Sequence, residues 1–137
     1  MKTLWMTIAA LLALASNACA DVGDIYDCKF NVSRHEYLAE QVIFGVVEKD
    51  KKVTVYDAII HYTNGEPVNA EILRDDEKRF TIRWLLEAPD ANGRVAKLSF
   101  RLTYLKQNKK ATMSMIVRGF DNRYNTQGKC SVAKGNI

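Results

Sequence analysis

The stretch Phe80–Leu105, FTIRWLLEAPDANGRVAKLSFRLTYL, contains two runs of alternating apolar and polar residues, separated by the turn-forming segment Pro89–Gly93. Alternation of this kind predicts strands with one buried face, and proline, asparagine and glycine are typical of the reversal between them. With the tip near Ala91, one face of the hairpin is apolar. Its predicted pairs are Phe80 with Leu102, Ile82 with Phe100, Trp84 with Leu98, and Leu86 with Ala96.

The same apolar face continues into the next strand. A reversal at Gln107-Asn108 places three more apolar residues opposite the second run. These predicted pairs are Met113 with Leu102, Met115 with Phe100, and Val117 with Leu98. Because a slip of one residue would turn every side chain to the other face, agreement across three strands supports this alignment.

Further strands are predicted on both sides of this core. They are Ile25–Phe30, Gln41–Val47, Lys52–Thr63 and Gly128–Ala133. Asn64-Gly65 is typical of a two-residue hairpin tip, which would place Ile59 opposite Ala70 and Asp57 opposite Ile72. Another reversal is expected at Asp75–Lys78.

About eight strands joined by short turns predict an all-β fold, a single antiparallel meander forming a small barrel or rolled sheet. A sandwich of two sheets is the alternative. The sequence Ser33–Glu36 matches a capping box and predicts a short helix near residues 34–39, with a loop as the alternative. In a closed meander the first and last strands are neighbours.

The first twenty residues have the parts of a secretory signal peptide: Lys2, the apolar run Leu4–Ala15, and the cleavage pattern Ala18-Cys19-Ala20. Cleavage after Ala20 leaves a single domain at residues 21–137 that is secreted or periplasmic. The alternative is lipidation of Cys19, although Ser16 stands where lipoprotein cleavage favours a large aliphatic residue. The apolar run is shorter than the roughly 20 residues of a membrane span, so no transmembrane segment is expected in the mature chain.

Signal-peptide cleavage would leave two cysteines, Cys28 and Cys130. An even pair in an oxidising compartment predicts a disulfide, here between the first and last strands. The bond would close a loop of about a hundred residues, which corresponds to roughly 4 to 5 kcal/mol of stabilisation in the chain-entropy account. Two buried free thiols are the alternative.

The charge pattern gives little sign of a nucleic-acid partner. The chain has 20 Lys and Arg against 16 Asp and Glu, a formal net charge of +4, and the two signs are interspersed in sequence. No nucleic-acid binding is therefore predicted.

The sequence also lacks recognisable catalytic and cofactor motifs. Only His35 and His61 are available as histidines, and no nucleophile motif, phosphate loop or metal-ligand spacing occurs. A carboxylate pair of the glycosidase kind stays open. We predict a protein that is not an enzyme and that uses no cofactor and no metal.

Two groups of residues are candidates for a site. The first is an interaction face on the outer wall and in the turn-rich segment Gly119–Gly128; it consists of Arg83, Lys97, Arg101, Arg118, Phe120 and Tyr124. The alternatives are a solvated charged face and two rings that pack over the barrel end.

The second candidate is an apolar ligand cavity inside the barrel. It consists of Asp57, Trp84, Phe100, Met113 and Met115, and ordinary core packing is the alternative. Asp57 falls in the inward row of its predicted strand, unless a bulge turns it outward.

These observations favour an exported, non-enzymatic binding protein that acts on a protein or envelope component. The alternative is a carrier of a small apolar ligand in a barrel. The plan of signal peptide, short all-β domain and terminal disulfide resembles that of small exported barrels that inhibit lysozyme. No stretch matches their reactive loop, so the resemblance concerns architecture.

Overall fold

The structure is a computed structural model, and it describes residues 23–32, 38–47, 52–89 and 91–135. The predicted all-β meander is confirmed. Eight antiparallel strands close into a barrel in sequence order, with the last strand paired to the first. The strands are β1 (Ile25–Phe30), β2 (Gln41–Val47), β3 (Lys52–Asp57), β4 (Val68–Asp75), β5 (Arg79–Pro89), β6 (Val95–Leu105), β7 (Lys110–Val117) and β8 (Arg123–Ala133).

The β5–β6 hairpin has the predicted inner face with a different pairing. Trp84 lies opposite Phe100 and Leu86 opposite Leu98, two residues from the predicted partners. The connecting turn is longer than expected, because the last pair is Pro89 with Val95 and the reversal is centred beyond Ala91. A shift of two keeps each side chain on its face. The predicted β6–β7 pairs are confirmed.

The prediction of one strand over Lys52–Thr63 is wrong. The strand β3 ends at Asp57, and a short helix, α1 (Ala58–Thr63), follows. The Asp57 side chain accepts a hydrogen bond from the Ile60 backbone N–H at 2.7 Å, which satisfies one of the free donors in the first turn of the helix. Ile60 is completely buried and anchors the helix on the barrel.

Asn64-Gly65 ends this helix instead of forming a hairpin tip. Gly65 has a φ of 78°, and its N–H donates to the Ile60 carbonyl at 3.1 Å, as expected just beyond a helix C-terminus. The predicted pairs of Ile59 with Ala70 and of Asp57 with Ile72 are therefore wrong. Ala70 lies opposite Val53.

Two other boundaries differ from expectation. Residues 34–37 of the helix predicted near residues 34–39 lie outside the described residues; Leu38 and Ala39 are buried and not helical. The segment Gly119–Gly128 was predicted as a turn-rich loop, but β8 already begins at Arg123. Side chains of β8 from Tyr124 onward therefore belong to the barrel wall. The proposed signal peptide also lies outside the described residues.

The predicted disulfide is confirmed between Cys28 and Cys130, which are 102 residues apart in sequence. The two cysteines lie directly opposite each other in the β1–β8 pair, so the bond joins the strands that close the barrel. Within the described residues, no helix is both long and apolar enough to cross a membrane.

Candidate functional site

A mostly apolar cleft of about 580 Å³ lies at one end of the barrel. Three parts of the chain form it. They are the helix α1, the hairpin where β5 ends and β6 begins, and the β7–β8 connection with the adjoining strand residues. We call it the end cleft. Its largest side chains are Ile59, Tyr62, Leu98, Met115, Phe120 and Tyr124.

The helix α1 supplies one wall of the end cleft. Ile59 and Tyr62 are three positions apart and therefore share one side of the helix, whereas the buried Ile60 faces the core. Tyr62 is 91% exposed, so packing against the barrel does not explain the position of its ring. The Asp57 cap thus fixes where an exposed aromatic ring stands beside the cleft.

The β7–β8 connection supplies the facing wall. Gly119 has a φ of 86°, and the Phe120 N–H donates to the Val117 carbonyl at 3.1 Å, so the chain turns sharply there. Phe120 is 66% exposed at this turn. Tyr124 lies opposite Met115 across β7 and β8, and both line the cleft. The exposed rings of Tyr62 and Phe120 therefore flank the end cleft.

Asp57 is buried, so the alternative in which a bulge turns it outward does not hold. One carboxylate oxygen caps α1, and the other has no hydrogen-bond partner among the described residues. Burial raises the pKa of Asp57 above its ordinary value, and the hydrogen bonds from the backbone of Ile60 and Ile59 oppose that effect. An acid at this position is explained by the helix that it caps.

Asp57 also lines a second depression at the outer side of the same strand, together with Tyr56 and His61. The Tyr56 hydroxyl and His61 Nδ1 are joined by a hydrogen bond, and the two rings meet edge to face. This pair ties α1 to β3. Among the described residues, no group of three or more His, Cys, Asp or Glu side chains is placed to hold a metal ion.

The residues predicted to line an internal cavity lie in the packed interior. Trp84, Phe100, Met113 and Met115 are each at most 1% exposed, and the Trp84 and Phe100 rings stack with centroids 5.3 Å apart. The Trp84 indole nitrogen has no hydrogen-bond partner in the part of the chain that the structure describes. Met115 additionally forms part of the end cleft. A ligand among these side chains stays a prediction.

The predicted interaction face is divided between two places. Its four cations, which we call the basic face, lie on the outer wall formed by β5, β6 and the start of the β7–β8 connection: Arg83, Lys97, Arg101 and Arg118. Phe120 and Tyr124, by contrast, line the end cleft. The backbone joins the two places, because the Arg118 N–H donates to the Lys97 carbonyl at 2.9 Å.

Acidic neighbours partly offset the charge of the basic face. Arg83 forms a salt bridge with Glu71 at 2.6 Å, and Lys97 lies opposite Glu87. Arg83 also lies directly opposite Arg101, so two like charges face each other at the middle of the wall. The distance along β6 from Arg101 to Lys97 is about 13 Å at roughly 3.3 Å per residue.

Sequence reasoning missed Ile59 and Tyr62 as site residues, because it extended the strand through them. The signal was present: an aspartate precedes the six residues Ala58–Thr63 and Asn-Gly follows them, which is typical of a helix with a cap at each end.

No protein-family model matches this chain, and comparisons with curated proteins and with solved structures find no significant match either. The resemblance to lysozyme-inhibiting barrels therefore remains one of overall plan. Function has to be argued from the site.

Proposed function

We propose that this chain is an exported, non-enzymatic binding protein that holds an apolar side chain of a partner protein in the end cleft. The single observation that carries this proposal is the pair of exposed aromatic rings, Tyr62 and Phe120, at an apolar depression. Export rests on the disulfide between Cys28 and Cys130 together with the signal-like pattern of residues 1–20.

The two rings resemble the anchors of protein interfaces. Large aromatic side chains supply much of the binding energy in such interfaces when a partner desolvates them. Exposed apolar patches on a folded surface commonly mark interaction sites. The flanking cations Lys97 and Arg118 favour a partner with acidic residues around its apolar anchor, because opposite charges speed association and select the partner.

The test uses purified protein immobilised as bait against the exported fraction of the source cells, followed by affinity measurement with the recovered partner. We expect Tyr62→Ser combined with Phe120→Ser to weaken partner binding at least tenfold, because both anchors are lost. Ile25→Ser is the matched control, since Ile25 is also an exposed apolar residue, at 40%, and lies away from the cleft. Equal binding by the double variant and the control would contradict the proposal.

The basic face provides a second arm of the same experiment. Arg83→Glu combined with Arg101→Glu should slow association with an acidic partner while the fold is retained, because both side chains lie on the outer wall. An association rate that is unchanged at low salt would show that these two residues are not part of the binding site. The end cleft would then be the only proposed contact.

A carrier of a small apolar ligand is the second candidate function, and the size of the end cleft favours it. A volume of about 580 Å³ lies in the range of roughly 300 to 1,000 Å³ that is common for small-molecule sites. Native mass spectrometry and a titration with dodecanoate distinguish the two functions. A bound fatty acid that is lost in Phe120→Ser, with no partner protein recovered, would replace the first proposal with the second.

A further inference from the structure

Three lysines from three adjacent strands stand side by side on the outer wall of the barrel. Lys29 on β1 lies directly opposite Lys129 on β8, and Lys129 lies directly opposite Lys110 on β7. All three are exposed. Directly opposed residues of antiparallel strands point to the same face, and neighbouring strands are roughly 4.8 Å apart. We call these residues the lysine row.

The lysine row has no structural explanation in the contacts around it. Like charges directly opposite each other destabilise a sheet, and none of the three lysines forms a salt bridge with the described residues. Four other surface cations do have carboxylate partners among the described residues. These pairs are Arg74 with Asp76, Arg83 with Glu71, Lys106 with Asp75, and Lys134 with Asp24.

A shallow groove of about 600 Å³ runs along the row. Polar side chains beside the lysines are Asn31, Thr112 and Gln127, and apolar ones are Leu105 and Ala111; no aromatic side chain among the described residues lines the groove. Two features hold the β1 and β8 lysines together. The Cys28–Cys130 disulfide is the next pair along the two strands. In addition, a Cβ on Gly128 would lie 2.0 Å from the Lys29 carbonyl oxygen, so only glycine permits this close backbone approach.

We propose that the lysine row binds an extended polymer with closely spaced phosphate groups. Lysine binds phosphate as a compact point charge, and a chain of closely spaced phosphates offers a negative charge to each ammonium group of the row. Because the three lysines lie side by side on neighbouring strands, one extended polyanion can contact all three ammonium groups at once. The absence of aromatic side chains from the groove leaves nucleic-acid bases without stacking partners.

This surface is separate from the end cleft. Lys110 begins β7 and Val117, which lines the cleft, ends it. The two sites are therefore about 23 Å apart along one strand, at roughly 3.3 Å per residue. The lysine row therefore stands independently of the proposed partner in the cleft.

The experiment measures binding of fluorescently labelled inorganic polyphosphate to the intact, disulfide-bonded protein by anisotropy over a range of salt concentrations. We expect Lys29→Gln combined with Lys129→Gln to weaken binding at least tenfold at low salt. The slope of log K against log salt should become shallower by about 1.4, taking roughly 0.7 for each lost contact as for single-stranded polyanions. The matched control is Lys52→Gln combined with Lys78→Gln, which removes the same charge from two exposed lysines outside the row.

Three results would overturn the proposal. Equal losses in the two double variants would mean that only net charge matters. No saturable binding of polyphosphate by the unmodified protein would remove the ligand. Tighter binding of poly-glutamate of equal charge, or of vesicles containing anionic phospholipid, would assign the row to an acidic protein or to a membrane surface instead. Retained binding in the control with loss in the lysine-row variant supports the proposal.

Discussion

Asp57 shows how one side chain fixes both an element boundary and a site. Its Oδ1 atom accepts the Ile60 N–H, so the chain leaves β3 and enters α1 at this residue. The same carboxylate is buried, and its second oxygen accepts no hydrogen bond from the described residues. The cap stabilises the folded protein, whereas burial of the charged carboxylate destabilises it, and this second effect depends on pH.

The pKa of Asp57 is raised in the folded protein, mainly by burial, so this group favours folding in its protonated form. Its stabilising effect is complete below the ordinary pKa of 3.8 and is lost as the pH rises through the raised, folded-state pKa. Asp57→Asn keeps an oxygen to cap the helix and does not ionise. We expect the unfolding free energy of the unmodified protein to fall relative to that of Asp57→Asn as the pH rises through this window.

Urea unfolding of both proteins between about pH 3 and pH 7.5 measures the difference. Asp57→Ala is the companion variant; it should be less stable than Asp57→Asn by about 0.5 to 2 kcal/mol, because alanine offers no cap. A constant difference between the unmodified protein and Asp57→Asn across the pH range would contradict the assignment of burial as the dominant cause.

At the scale of elements, adjacent strands create surfaces that no single strand has. The sequence intersperses its charges, and each of β1, β7 and β8 carries a single lysine. Pairing brings Lys29, Lys129 and Lys110 into one row, whereas pairing on the other wall sets Arg83 between Glu71 and Arg101. Strand pairing therefore clusters positive charges in the lysine row, whereas on the other wall Glu71 partly neutralises the charge of the basic face.

The lysine row should cost stability. Lys129 has a lysine directly opposite on both sides, so Lys129→Gln removes two like-charge contacts. We expect Lys129→Gln to raise the unfolding free energy by a few tenths of a kcal/mol, and at most about 1 kcal/mol, at low ionic strength. The gain should shrink in salt, because the screening length falls to roughly 10 Å at 0.1 M.

Denaturant unfolding at low and high salt tests this effect, with Lys52→Gln as a control that removes one exposed lysine charge outside the row. A loss of stability in Lys129→Gln that exceeds the change in the control would show that the row is held by favourable contacts. The expected gain also means that weaker polyphosphate binding by lysine-row variants would not be caused by unfolding.

For the whole molecule, barrel closure determines which ends of the chain meet. The β1–β8 pair joins residues about a hundred positions apart, and the Cys28–Cys130 bond lies within that pair. Long-range pairing of this kind carries a large loop-closure cost in entropy. The disulfide removes much of that cost from the unfolded chain.

Replacing both cysteines, Cys28→Ser with Cys130→Ser, should lower the unfolding free energy by about 2 to 5 kcal/mol. Urea unfolding of the double variant and of the unmodified, disulfide-bonded protein measures the loss. A second comparison sets the double variant against the unmodified protein under reducing conditions. The two should agree, because each lacks the cross-link. A decrease below about 1 kcal/mol would mean that the other β1–β8 contacts close the barrel without help.

The inner face of the sheet and the strands that close the barrel could be predicted from the sequence, because short-range patterns and the positions of two cysteines indicate them. Alternation within β5, β6 and β7 identified the inner face, and two cysteines near the ends identified the strands that close the barrel. The β5–β6 pairing was wrong by two residues because alternation specifies a face and does not measure the length of a turn.

Only the tertiary structure decided the sites. The run Ala58-Ile59-Ile60 is compatible with a strand or a helix, and the choice depends on Asp57 as a cap and on the burial of Ile60 against the barrel. That choice places Tyr62 beside Phe120, 58 positions later in the sequence, at one cleft. The lysine row likewise exists only where β1, β8 and β7 are paired. A sequence specifies local periodicity directly, whereas contact between distant side chains follows from how the closed sheet aligns its strands.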